Sequence, residues 1–316
     1  MLIYIYIVSF IKTNLVIRTY TIDMNNLTAL VIVIISGFIH VIWNSRYKIA
    51  DNRNQLFAGT RILNSIYLLP LCIFFYEPIS SNAWIYIIAS AIIHFLYFYF
   101  LIFMYENEDF SKVYPLSRGL GNLLTPVLGT TLIKEVVSKI SLIGLMINLT
   151  GLLLLNFKNF KEIKNNIKNK LFLIKNKGVN YSILTGLTVT SYSFVDKLGV
   201  ESLNPIQYFY MYSILTMFLF NLLFLIKKEN IYSSILTKKN FIEFSYVGLA
   251  DSISYLLILY ALTFIEVSYI SPMRNSGIII SSFMGYFYLS EKLHKLRFYG
   301  SILIFIGIII TTIGIK

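Results

Sequence analysis

Two arginines mark where this chain could do chemistry. Arg118 lies in VYPLSRGLG (residues 113–121) and Arg274 in ISPMRNSG (residues 270–277), each two or three residues after a proline near the start of an apolar run. Arginine is costly in lipid, so each should face protein or a water-filled cavity. The helix-breaking residues beside them, Pro115 and Gly119, then Pro272 and Gly277, free backbone polar groups that something other than lipid must satisfy. Each arginine admits two readings. Its rigid fork suits a carboxylate or phosphate, or it clamps the carbonyls its neighbouring proline releases. The adjacent Tyr114, Ser117 and Asn275 are candidates for the same binding surface.

Other polar groups occur at helical spacing in apolar surroundings. His40 and Asn44 are four apart with Trp43 beside them, so they share one helix face. That face calls for a cavity or a partner helix to which it hydrogen-bonds. His40 could also carry a proton near neutral pH. Asp196 has Tyr192 one turn back on its face, and His94 and Asp251 lie deeper in their apolar segments. Each is an intramembrane ionisable group and therefore a candidate for coupling or gating. Adjacent to Asp196, Lys197 reads as a solvated helix end.

The elements that must position these groups follow from composition. The 316 residues are 57% hydrophobic and 13% charged, with a mean hydropathy of +0.71, whereas soluble chains carry roughly a quarter charged residues. Ten apolar segments, 28–47, 56–76, 83–104, 111–132, 140–157, 181–199, 205–226, 243–265, 269–290 and 297–315, are near the roughly 20 residues a membrane helix needs. Their continuous apolarity excludes an outer-membrane barrel, whose strands alternate. The expected fold is an all-α polytopic membrane protein. Residues 158–180, with seven lysines and one glutamate, read as a basic linker between a first repeat (27–157) and a second (181–316). Residues 1–26 read as a leader or a misplaced start, with Met24 as the alternative first residue.

The halves look duplicated. GFIHVIWNSRYK (37–48) aligns with GLTVTSYSFVDK (186–197), placing Trp43 against Tyr192 and Lys48 against Lys197. Counting back 21 residues from Pro115 and from Pro272 reaches His94 and Asp251. With five spans each, the copies must be inverted. The net charge of +12 sits in the links and fits the positive-inside rule rather than a nucleic-acid partner. The links after spans 1, 3, 5, 7 and 9 carry most of it, so both termini are expected outside. One cysteine, Cys72, excludes an internal disulfide. No P-loop or metal-protease motif occurs, so no cofactor or metal is expected.

H-x-x-W-N (His40, Trp43, Asn44), Y-P-L-S-R-G (114–119) and Y-S-F-V-D-K (192–197) resemble EamA-type transporters of the drug/metabolite transporter superfamily over about residues 27–315. Glu135 and Glu291 fit that family's usual ending of spans four and nine. The resemblance implies ten helices in two inverted repeats around a central site built by spans 1, 3, 4, 6, 8 and 9. It departs at span nine, where relatives often read R-E-T-S and this chain reads Arg274-Asn275-Ser276. The expectation is a secondary carrier in a bacterial inner membrane that exports or exchanges a small anionic or zwitterionic metabolite, with a proton as the candidate coupling ion. The runner-up is a lipid-linked sugar flippase, which needs a cavity open sideways to the bilayer. Below it stands a membrane enzyme acting on lipid-linked substrates.

Overall fold

The computed structural model describes residues 26–155, 176–226, 237–288 and 295–314. Residues 1–25 of the expected leader, most of the basic linker and Glu291 lie outside them. The described residues are helical, without strands: α1 (Asn26–Ile49), α2 (Arg53–Phe74), α3 (Ser81–Asn107), α4 (Phe110–Leu128), α5 (Lys139–Leu155), α6 (Lys177–Ser202), α7 (Pro205–Ile226), α8 (Lys238–Leu262), α9 (Val267–Met273), α10 (Ser276–Phe287) and α11 (Lys295–Ile313). Four of them, α2, α3, α7 and residues 240–262 of α8, are by length and composition able to cross a membrane.

Short polar residues start the helices. Asn52 accepts from the Gln55 N–H at 3.0 Å, Ser80 from Ala83 at 3.2 Å, Asn176 from Val179 at 3.1 Å and Thr237 from Asn240 at 3.4 Å, each satisfying an N–H that has no partner within its helix. The Asn176 cap corrects the linker boundary. Hydropathy registers this helix only from Tyr181, but the cap begins it at Lys177, inside the stretch read as linker.

α1 shows which side faces what. Val31, Ile35, Phe38 and Ile42 form an exposed stripe at helical spacing, while Ser36, His40, Trp43, Asn44 and Tyr47 are buried. Apolar outside and polar inside is the pattern of a helix bathed in lipid.

The proline-glycine segments behave differently from one another. α4 runs unbroken through Pro115 and Gly119, and departs from α geometry only after Pro126, in a π turn over Gly129–Ile133. The expected break at Pro115 is therefore not there. Pro115 falls in the second turn of the helix and removes a single bond. The ninth span does break. After Pro272 the Asn275 N–H bonds Pro272 at 3.0 Å, Gly277 bonds Arg274 at 3.2 Å and Ile278 bonds Asn275 at 2.8 Å. These three-residue steps separate α9 from α10. At the far end of the π turn, Glu135 accepts from the Val267 and Ser268 N–H groups at 2.9 and 3.1 Å, capping α9 from the other half of the chain.

Packing is mostly between halves. α5 lies on α11, α6 on α3 and α4, α1 on α8 and α10, α7 on α2 and α3, α8 on α2, and α9 on α4. Exchanging α1–α5 for α6, α7, α8, α9–α10 and α11 turns these main packings into one another. The crossings depend on missing side chains. A Cβ on Gly37 would stand 3.3 Å from the Gly277 nitrogen, and one on Gly121 would stand 3.0 Å from the Gly186 carbonyl. Small residues let membrane helices approach this closely. Lys48 donates to the Tyr105 carbonyl at 2.9 Å and Lys197 to the Leu262 carbonyl at 2.8 Å. Each thus satisfies the carbonyl end of α3 or α8. Lys197, read as a solvated helix end, is instead half-buried and bonded there.

Beside Lys48, burial works against the charge of Glu108, but hydrogen bonds from Lys112 (2.7 Å) and Asn176 outweigh it and hold its carboxyl below the ordinary range. This tie between α3 and α6 is therefore present at neutral pH and weakens in acid, as the carboxylate takes up its proton.

In the α5–α11 seam a Cβ on Gly151 would stand 2.6 Å from the Gly300 carbonyl and 2.8 Å from the Ile304 nitrogen. Gly151→Ala should cost about 1–3 kcal/mol of stability by overpacking. The change should be read as a lower midpoint in denaturant titration, against about 0.5 kcal/mol or less for Ile143→Ala on the exposed face of α5.

Candidate functional site

Polar groups from seven helices, α1–α4 and α6–α8, and Arg274 from the break between α9 and α10 meet in the middle of the bundle. α4 carries Arg118, which is 4% exposed. Its Nη1 donates to the Tyr192 hydroxyl at 3.1 Å, and its Nη2 donates to the Tyr97 hydroxyl at 2.7 Å and to His40 Nε2. The guanidinium lies over the rings of Tyr97 and Tyr114 at 5.6 and 5.9 Å. These partners are side chains, which counts against the second of the two readings offered for Arg118, a clamp on carbonyls. The Asn44 amide also donates to His40 Nε2, at 3.0 Å. With two donors converging on it, Nε2 is the acceptor nitrogen and the ring proton sits on Nδ1. Tyr105 completes the group by donating to Asn44 Oδ1 at 2.8 Å. Trp43 meets the His40 ring edge-on at 4.6 Å and donates to Ser254 Oγ at 3.2 Å.

A second group surrounds Asp196, which is fully buried. Ser90 and Tyr208 donate to Oδ1 at 2.6 and 2.8 Å, and Tyr255 donates to Oδ2. His94 is stacked between Tyr192 (4.4 Å) and Tyr212 (4.5 Å). Its Nδ1 lies 3.0 Å from the Ser90 carbonyl, and its Nε2 lies 3.9 Å from Asp196 Oδ2, too far for a direct hydrogen bond.

The third group is an ion pair between Arg61 of α2 and Asp251 of α8, both buried. Arg61 also reaches Ser213 at 3.4 Å and lies over the Phe98 ring at 4.7 Å. Sequence reading placed Arg61 in a span but did not make it a site residue, because it lacks the proline and glycine beside the other two arginines. The signal was present all the same, since an intramembrane arginine needs a partner whatever its neighbours. Ser90, Tyr208 and Tyr212 were missed as well, because nothing in their spacing separates them from packing residues.

Arg274 differs from both. It is 7% exposed and lies over the Tyr255 ring at 5.5 Å, and its Nη2 has no hydrogen-bond partner. Among the described residues no carboxylate pairs with Arg274 or with Arg118. Asn275, expected beside it, turns away to donate to Asn148 Oδ1 at 2.7 Å. Ser117 spends its hydroxyl on the Tyr114 carbonyl at 3.0 Å. Gly277 serves the α1 crossing and Gly119 makes room for Leu152. No cluster among the described residues could hold a metal ion.

The centre is tightly filled. Its cavity, walled by His40, Arg61, His94, Tyr212, Asp251 and Tyr255 among others, has about 20 Å³ of free space. That admits a water and nothing larger.

Residues 176–313 match the EamA-like transporter family. Over those residues the chain is similar to a family of transporters, and with its long apolar helices this marks a multi-pass membrane protein. A solved structure described as "Crystal structure of protein" matches with a TM-score of 0.64 and 13% identity, over 91% of this chain and 96% of that one, and so shares its fold. Comparison with curated proteins gives no match.

Removing Asp251 would strand the Arg61 charge. Asp251→Leu should destabilise the protein by about 3–5 kcal/mol, whereas Arg61→Met with Asp251→Leu should recover most of that loss. Denaturant titration of the two variants in detergent checks this.

Proposed function

We propose that the chain is a secondary carrier of a small anionic or zwitterionic metabolite, working by alternating access of two inverted five-helix repeats that together cross the membrane ten times. The observation that carries the reading is Arg274, a buried guanidinium with one nitrogen unpartnered and no carboxylate on it. Arg118 adds a second cation held only by neutral groups. Among the described residues three buried arginines stand against the two buried carboxylates Asp196 and Asp251 and leave the centre electropositive, and an anion bound there would supply the missing charge.

The repeat reading is supported by the main packings, which map onto one another when the halves are exchanged. It is also supported by Lys48 and Lys197, which do the same task on α3 and α8. Arg61 and Ser213, from the equivalent helices α2 and α7, meet across the centre. The 20 Å³ cavity is then an occluded state, from which each side opens in turn as one repeat rocks against the other. His94 and Asp196, 3.9 Å apart, are the pair we assign to proton coupling. His40 is ill placed for that role, because its Nε2 already accepts from Arg118 and Asn44.

A thermal-shift screen of the detergent-purified protein against a metabolite library tests the cargo class. Anionic or amino-acid ligands should raise the midpoint of wild type, increasingly with concentration, and Arg274→Ala and Arg118→Ala should lose the shift. Variants that are stabilised as well as wild type would make both arginines structural. In proteoliposomes, a protonophore should abolish uphill uptake of the ligand so found. Asp196→Asn should abolish uphill uptake too while retaining exchange. Uptake indifferent to the protonophore would remove the proton from the cycle.

A further inference from the structure

A larger cavity lies away from the central site. Between α4, α5 and the end of α9 is about 440 Å³ of free space, walled by Pro126 and Val127 of α4 and by Leu145, Met146 and Leu149 of α5. That is within the range of about 300–1,000 Å³ for small-molecule pockets. Its mouth opens on the outside of the bundle, where Val127, Leu142 and Met146 are exposed. For a membrane protein that face meets lipid, so what reaches the cavity comes from the bilayer.

One polar group at the cavity is unsatisfied. Asn148, in the middle of α5 and 2% exposed, lines it. Its Oδ1 is taken by the Asn275 amide at 2.7 Å, and its Nδ2 has no partner. A buried donor without an acceptor is costly, and a mid-membrane position makes it more so. A water would answer poorly, because it needs two to four polar partners. The remaining walls are apolar apart from Asn275 and Thr130, whose hydroxyl is already on the Val127 carbonyl at 2.9 Å.

We propose that this cavity binds the chain of a fatty-acid-like amphiphile drawn laterally from the bilayer, with a carbonyl or carboxylate oxygen accepting from Asn148 Nδ2. The apolar walls fit the alkyl part and the unpartnered amide NH2 fits an oxygen acceptor. Pro272 and Asn275 belong to the lining, so the occupant rests against the helix break that turns Arg274 toward the centre. A bound chain would brace that break without entering the central site.

The test uses the full chain in lipid nanodiscs, with a diazirine-bearing fatty acid and a diazirine alkane lacking the carboxyl group, read by peptide mass spectrometry. Wild type should show saturable labelling of α4 and α5 peptides by the fatty acid, competed by unlabelled fatty acid. Leu149→Trp, which fills the cavity, should lower that labelling about tenfold. Leu145→Phe serves as a second filling variant, and gel filtration confirms that each is folded. Asn148→Leu should weaken the fatty acid about tenfold while leaving the alkane unchanged. Labelling that does not saturate, spreads over the lipid face and persists in the filled variants would show only annular lipid and overturn the site. Equal fatty-acid labelling in wild type and Asn148→Leu would overturn the role of the amide. No cargo enters these measurements, so their failure leaves the reading of the central site untouched.

Discussion

A guanidinium inside a bilayer has to be answered by protein, and the architecture follows from how three of them are answered. Arg61 has a carboxylate, Asp251. Arg118 has tyrosine hydroxyls and a histidine nitrogen. Arg274 has the face of Tyr255 and an unpartnered nitrogen. The series runs from an ion pair, in which Arg61 Nε still lacks a partner, through neutral groups to a ring face. Low local polarity sharpens the difference, because an uncompensated charge costs far more there than in water. A molecule with a negative group would complete the set.

Holding those groups requires helices that approach closely and then stay put. The matched crossings at Gly37 with Gly277 and at Gly186 with Gly121 bring α1 and α6 against the segments bearing Arg274 and Arg118. The aromatic rings fill what remains. His94 between Tyr192 and Tyr212, with Tyr255 across their edges, leaves room for little more than a water. An opening motion must separate these rings, and the break between α9 and α10 is where the backbone is already free of regular helix bonds.

Much of this was legible in the chain because polar residues in apolar runs are few and each must be used. His40, Asn44, His94, Arg118, Asp196 and Asp251 were picked out that way, and all are buried at the centre. Lys48 and Lys197, which keep the same spacing from the glycines before them, each reach a helix-end carbonyl. What hydropathy could not show was local geometry. A proline's effect depends on which turn it occupies, so Pro115 sits in a continuous helix while Pro272 precedes a break. Whether Asn275 faces its neighbour Arg274 or Asn148 is decided by that break. Arg61 was passed over because it lacks the proline and glycine that flag the other two arginines, and the identity of its partner, 190 residues away, is beyond any local pattern.

The measurement closest to the central claim is arginine-selective nitrogen NMR of the protein in nanodiscs, with resonances assigned from single arginine-to-lysine variants and an anionic ligand titrated in. The account predicts that the Arg274 guanidinium signals shift saturably with ligand, those of Arg118 move with them, and those of Arg61, already paired with Asp251, hold still. Saturable binding that leaves Arg274 unmoved would contradict it, and the charge at the heart of the bundle would then be structural.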